Sequence, residues 1–252
     1  MSDPSATSLF SSSVNALFST WSNALSLTPP ELRMILIACT VTAANCPKIL
    51  VPLVQQTLAE IASGSLSVPG TDRSPSPTDT TESRFAEQVR FIRRLREGLL
   101  KASSLCGGPY GINALGAVNF ALEPELSAAV NRFGPVRSSN NVLTPEEYQQ
   151  RGRGLFETIY QHHSNSSQDL VLGILRDTYG KLLSDTSLIS IPETELCLVA
   201  TLVPLNVPPQ LKSHVYGARN VGVPMEQVQQ LIAVAESITR WVHSQANDKS
   251  SL

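Results

Sequence analysis

Two side chains of complementary chemistry stand near the starts of consecutive apolar stretches: Glu195, in Glu193-Thr-Glu-Leu-Cys-Leu-Val, and His214, in Pro208-Pro-Gln-Leu-Lys-Ser-His. A carboxylate that holds one ring nitrogen of an imidazole fixes its tautomer. The other nitrogen is then left to take or give a proton, which is general acid–base chemistry near neutral pH. Leu196, Leu198 and Val199 surround Glu195 in the sequence, and a carboxylate on a mostly apolar helix is either paired or raised in pKa; both conditions suit proton transfer. The structural alternative is a buried hydrogen-bonded pair, with Glu195 favoured by the positive end of its helix. Gln210 lies one turn before His214 on the same helical face, where its amide either orients a substrate carboxylate or carbonyl or caps its own helix.

The sulfur chemistry that would turn such a pair into a redox site is not arranged beside it. Cysteines occur at 39, 46, 106 and 197, with no Cys-x-x-Cys and no metal-ligand spacing, so they read as reduced, mostly buried thiols. Cys197 is two residues from Glu195 and so points to another helical face. Cys106 directly precedes Gly107-Gly108-Pro109 and is the cysteine best placed to line a pocket beside a glycine turn. His162 and His163 are adjacent, diverge by about 100° on a helix, and make a poor metal clamp. Neither a metal nor a cofactor is expected.

The elements that must position these residues are helical. Thr28-Pro-Pro-Glu31, Thr144-Pro-Glu-Glu147 and Ser190-Ile-Pro-Glu193 have the Ser/Thr-x-x-Glu form of a capping box with an early proline. Glu31–Ala44 and Glu195–Leu205 are nearly continuous apolar runs and read as buried helices. Phe85–Ser103 carries Val89, Ile92, Leu95, Leu99 and Leu100 toward one face, its arginines forming a solvated one. Further helices are expected over Tyr110–Phe120, Pro145–His162 and Gln168–Leu183, in the segment carrying His214, and from Pro224 onward, with Val228, Leu231, Ile232, Ala235, Ile238 and Val242 as its apolar stripe. The result is an all-α chain of about nine helices. Residues 63–83 are rich in Ser, Thr and Pro and read as a flexible insertion. Sliding Glu31-Leu32 onto Glu195-Leu196 pairs Cys46 with Gln210 and Leu50 with His214, an internal repeat whose N-terminal copy lacks the histidine.

Composition removes whole classes of function. Hydrophobic residues make up 42% and charged residues 16%, and 19 basic against 21 acidic residues leave a net charge of −2 with no block of either sign. That balance argues against a nucleic-acid surface, and the longest apolar runs are too short to span a bilayer. With no secretory signal and no Arg or Lys before Arg33, the expected location is intracellular. The tail Lys249-Ser-Ser-Leu252 is a variant of the Ser-Lys-Leu peroxisomal address with serine in place of the basic residue. A frayed end is the simpler reading, so cytoplasm is expected, with the peroxisomal matrix as the alternative.

The ordering of Glu195, an apolar run, Gln210-Leu211, His214, Gly217-Ala218, Asn220, Gly222 and then Glu226 and Val228 resembles the AhpD-like superfamily, which includes the carboxymuconolactone decarboxylases. Arg96–Lys101, Gly108-Pro109 and Ile112–Leu115 resemble that family's earlier helix and turn. The divergent N-terminal half resembles fungal members. The resemblance implies an AhpD-like helical fold of two related halves, assembly as a homo-oligomer, and a site of one glutamate, two cysteines and a histidine. Counting back from His214, the cysteine positions are Val207 and Gln210. Thiol peroxidase chemistry therefore loses its nucleophile. The decarboxylase branch, which does without that cysteine pair, is the closer analogue.

The organisation that follows is a segment 1–26 and a helical domain 27–252. The domain comprises a degenerate half 27–133 and a half 144–244 that carries the site. The expected activity is cofactor-free acid–base chemistry on a small carbonyl or lactone substrate. His214 is the acid/base and Glu195 its partner, with Gln210, and Cys106 as a pocket residue, on the substrate side. The alternatives are a non-catalytic helical scaffold and a thiol peroxidase using Cys46 or Cys106. The expected partners are a small molecule and further copies of the chain, with no nucleic acid and no membrane.

Overall fold

Two helices without a polar face lie at the centre of the main core. The computed structural model describes residues 4–68, 81–137, 143–160 and 173–249, with the backbone alone for 4–13 and 246–249. These form eleven helices and no strand: α1 (Pro4–Ala24), α2 (Pro30–Ala43), α3 (Leu50–Ser63), α4 (Thr81–Cys106), α5 (Gly108–Phe120), α6 (Pro124–Asn131), α7 (Pro145–Tyr160), α8 (Ile174–Leu183), α9 (Ile191–Leu205), α10 (Pro208–Asn220) and α11 (Met225–Lys249). A 3₁₀ turn over Pro47–Ile49 leads into α3, and α8 is wound as a π-helix. The expected all-α class is thus observed.

From Leu32 to Ala43 only Arg33 of α2 reaches solvent, and Thr194–Leu202 of α9 is wholly buried. A helix apolar on every side has no face to give to water and packs inside. The two lie against each other, flanked by α4 and α11. One continuous core joins α1–α6 to α9–α11. Val14, Phe18, Trp21 and Leu25 of α1 and the turn after it belong to it. Trp21 meets Trp241 of α11 edge-on at 5.8 Å. The expected stripe of α11 is buried at Val228, Leu231, Ala235, Ile238 and Val242.

Two of the three expected capping boxes form. Ser190 and Glu193 exchange hydrogen bonds at the start of α9, as do Thr144 and Glu147 before α7. The third does not. Pro29 is the N-cap of α2, Thr28 Oγ1 accepts instead from Gln227 Nε2, and Glu31 is buried toward Arg94 at 4.0 Å. The arginines of α4 are not a purely solvated face either. Arg94 donates to the Leu188 carbonyl and to Glu193, and Arg96 to Asn119 and Asn131. Leu100, expected inside, is 39% exposed.

The ends of α2 and α9 share one form. Asn45 and Asn206 both sit in the left-handed region where α2 and α9 stop, and each precedes a residue and then a proline that restarts a helix. Aligned there, Cys46 pairs with Val207 and Pro47 with Pro208. Met34 then falls opposite Glu195, and Leu53 opposite His214. In that register neither member of the Glu195–His214 pair has a counterpart of its own kind in the N-terminal segment. Of the expected insertion 63–83, residues 69–80 lie outside the described residues, as do His162, His163 and the C-terminal Ser-Ser-Leu.

Candidate functional site

His214 brings α7, α8, α9 and α10 to one point. Its Nδ1 lies 2.9 Å from Glu195 Oε2, and its Nε2 lies 2.9 Å from the Tyr160 hydroxyl. Tyr179 donates to the Tyr160 oxygen, also over 2.9 Å. A carboxylate only accepts, so Nδ1 carries the imidazole proton. Tyr160 already accepts from Tyr179, which leaves its own hydrogen for Nε2. Each group in the series Tyr179, Tyr160, His214, Glu195 therefore donates to the next. Glu195 is 1% exposed, His214 2% and Tyr179 4%; Tyr160 alone is half-buried.

The sequence holds this series in place by backbone approach. A Cβ built on Gly217 would stand 2.7 Å from Glu195 Oε2 and 2.6 Å from Ile159 Cγ2, so a glycine one turn after His214 is what lets α10 reach both the carboxylate and α7. Asn220 then donates from Nδ2 to the carbonyls of Thr158 and Ile159, tying the end of α10 to the last turn before Tyr160. On the other side α7 and α8 cross at glycines. A Cβ on Gly152 would meet the Leu175 carbonyl oxygen at 1.7 Å, and one on Gly180 the Tyr148 carbonyl oxygen at 2.1 Å. Arg151 closes the crossing by donating from Nε to the Gly180 carbonyl at 2.8 Å. Tyr179, the neighbour of Gly180, is thereby carried against Tyr160. Buried Lys101 donates to the carbonyls of Leu183 and Asp185 and to Thr194 Oγ1, joining the end of α8 to the first turn of α9. Burial lowers its pKa.

Phe156 packs on Tyr160 at 4.4 Å and edge-on to Tyr179 at 5.2 Å. Among these rings burial raises the Tyr160 pKa, as does the Glu195 charge, while the bond from Tyr179 lowers it. Burial raises Tyr179 well above an ordinary phenol. Both phenols are therefore neutral at physiological pH and serve as hydroxyl donors and acceptors rather than as phenolates. Chemically, the series is a directed proton chain with a carboxylate at its inner end. If His214 takes a second proton, Nε2 becomes a donor and the two phenol bonds reverse. No group of three or more metal-ligating side chains occurs among the described residues.

Of the residues singled out in the sequence, Glu195 and His214 are joined as expected. Gln210 is exposed in the first turn of α10, and Cys106 is half-buried at the end of α4 with its thiol pKa raised by burial; neither belongs to the series. Cys39 and Cys197 are core residues, and the four cysteines form no disulfide. Tyr160 and Tyr179 are additions. Their sequence signal was only the spacing of Phe156 and Tyr160, which is ordinary helix-face packing. Three cavities, of about 410, 350 and 490 Å³, are lined by other residues.

Peroxisomal protein 2 of Schizosaccharomyces pombe is 31% identical to this chain over 147 residues, which cover 58% of the chain and 69% of that relative. The chain belongs to the peroxisomal protein 2 family. Peroxisomal protein 2 of Saccharomyces cerevisiae is 30% identical over 179 residues, 61% of this chain and 63% of that protein, so less than two-thirds of the second relative's length is spanned. No family model matches the chain, and no solved structure does. Among the described residues no helix is long and apolar enough to cross a membrane.

Proposed function

We propose that this chain is a peroxisomal, carboxymuconolactone decarboxylase-like protein of the AhpD-like superfamily that moves a proton beside the carbonyl of a small keto acid or lactone, without a cofactor. One observation carries the reading: four groups stand in series at 2.9 Å, and a carboxylate at the inner end, which only accepts, lets every donor of the series point the same way. Tyr160, its least buried member, meets the substrate. Its oxygen receives the carbon-bound proton as its own hydrogen passes to His214 Nε2, and Glu195 offsets the imidazolium charge. Run backwards, the same chain delivers a proton to the enolate. His214 is thus the proton store and Tyr160 the contact, a division not contained in the pair alone.

The names of the two relatives support the peroxisome over the cytoplasm. Assembly as a homo-oligomer is supported by Ile112, Phe120 and Phe133, which are 71%, 81% and 57% exposed on or just beyond α5 and α6. A second reading, a scaffold in which the pair is purely structural, is favoured by the near-complete enclosure of Glu195 and His214. Solvent-deuterium incorporation distinguishes them. A panel of lactones and keto acids is incubated with the protein in D₂O and followed by proton NMR. The enzyme reading expects exchange at the carbon next to a carbonyl, lost in His214→Ala and reduced about 10²–10⁴-fold in Tyr160→Phe. Equal exchange by the wild type and both variants refutes it in favour of the scaffold.

A further inference from the structure

We infer that the cavity between α4, α5, α6 and the segment 134–137 binds an amphipathic anion, an apolar chain ending in a carboxylate or phosphate, at a site separate from the proton chain. Its volume of about 410 Å³ lies within the range of small-molecule pockets. Its walls are largely hydrocarbon, from Leu100, Leu115, Val130, Val136 and Leu188. None of the four relay residues reaches it, so the inference stands or falls independently of the proposed activity.

The charges around the cavity do not cancel. Glu97 accepts two hydrogen bonds from Arg137, with Lys101 3.9 Å from the same carboxylate, and Asp185 lies 3.9 Å from Arg137. Those two acids and two bases balance. Arg93 and Arg96, which also line the cavity, remain. Arg96 donates to Asn119 Oδ1 at 2.7 Å and to Asn131 Oδ1 at 3.0 Å. Arg93 lies 4.0 Å above the Phe133 ring. Amide oxygens and an aromatic face aim a guanidinium without neutralising it, and three of the five donors of Arg96 are still available. Among the described residues neither arginine is ion-paired to a carboxylate. Both side chains are partly buried, and that burial lowers both pKa values. Leu100, exposed on the otherwise buried face of α4, lines the cavity.

The probes are octanoate, octyl phosphate, octanol and octylamine, titrated calorimetrically into the full chain. One or both anions are expected to bind at one site per chain at least about tenfold more tightly than octanol, with octylamine weaker still; the tighter anion identifies the head group. Arg93→Gln and Arg96→Gln should each weaken that anion about tenfold while octanol changes little. Leu115→Trp, which fills the cavity, should abolish binding, with folding of every variant checked by circular dichroism. No anion binding to the wild-type chain, equal affinity for octanol and the anions, or binding unchanged in both arginine variants overturns the inference.

Discussion

Replacing Glu195 by glutamine removes the charge at the inner end of the proton chain and keeps the shape. Glu195 and His214 are 1% and 2% exposed and are joined over 2.9 Å, so little water is at hand to compensate. A hydrogen bond to a charged group contributes roughly 1.5–3 kcal/mol and a neutral one about 1 kcal/mol, so Glu195→Gln is expected to cost about 0.5–2 kcal/mol. Glu195→Ala removes the acceptor altogether and leaves a buried donor and a void, with a loss of about 3–5 kcal/mol. Urea unfolding at pH 7 reads both, as a shift of midpoint with an unchanged slope. Proton transfer should fall further than stability does, because an amide does not stabilise the imidazolium; deuterium incorporation is expected to drop about 10²–10⁴-fold in Glu195→Gln. An alanine variant no less stable than the glutamine variant, or a glutamine variant indistinguishable from wild type in both assays, would refute the reasoning.

Gly217→Ala puts a methyl group where Glu195 Oε2 and Ile159 already lie within 2.7 Å; it should lower stability by about 1–3 kcal/mol and slow proton transfer, and normal values of both would show that the approach is not tight. Gly180→Ala drives a Cβ into the Tyr148 carbonyl at 2.1 Å. A loss of about 3 kcal/mol, with loss of the near-ultraviolet signal of the Tyr160–Tyr179 cluster, is expected, and an unchanged thermal midpoint contradicts it. Glu31 has a pKa raised above 4.5, chiefly by burial. Below 4.5 it is protonated whether folded or unfolded; above, the unfolded chain ionises first, so stability falls as pH rises from 4.5 through the raised folded value. Glu31→Gln lacks this term, and its stability relative to wild type should rise across that window. A flat or falling difference counts against it.

The helical architecture was legible because its signals are local. The Ser190 and Thr144 capping boxes, the apolar runs of α2 and α9 and the stripe of α11 each need only neighbours in sequence. Expectation failed where a partner distant in sequence decided the outcome. Gln227 took the Thr28 hydroxyl, Arg94 drew Glu31 inward, and Leu100 faced a cavity that α5 and α6 create. The separations were the same at the site. Glu195 and His214 lie on consecutive helices and could be paired by spacing. Tyr160 and Tyr179 come from helices whose crossing depends on Gly152 and Gly180, and glycine–glycine approach leaves no periodic signature.

The direction of the proton chain, from the two tyrosines through His214 to Glu195, is read in the ¹⁵N NMR spectrum of the His214 ring at neutral pH in wild type and Tyr160→Phe. A protonated Nδ1 and an unprotonated, hydrogen-bonded Nε2 are expected in the wild type. In Tyr160→Phe the Nε2 resonance should move toward that of a free ring nitrogen while Nδ1 stays in place. A proton resident on Nε2 with Nδ1 bare, or an Nε2 signal indifferent to loss of the Tyr160 hydroxyl, would contradict it.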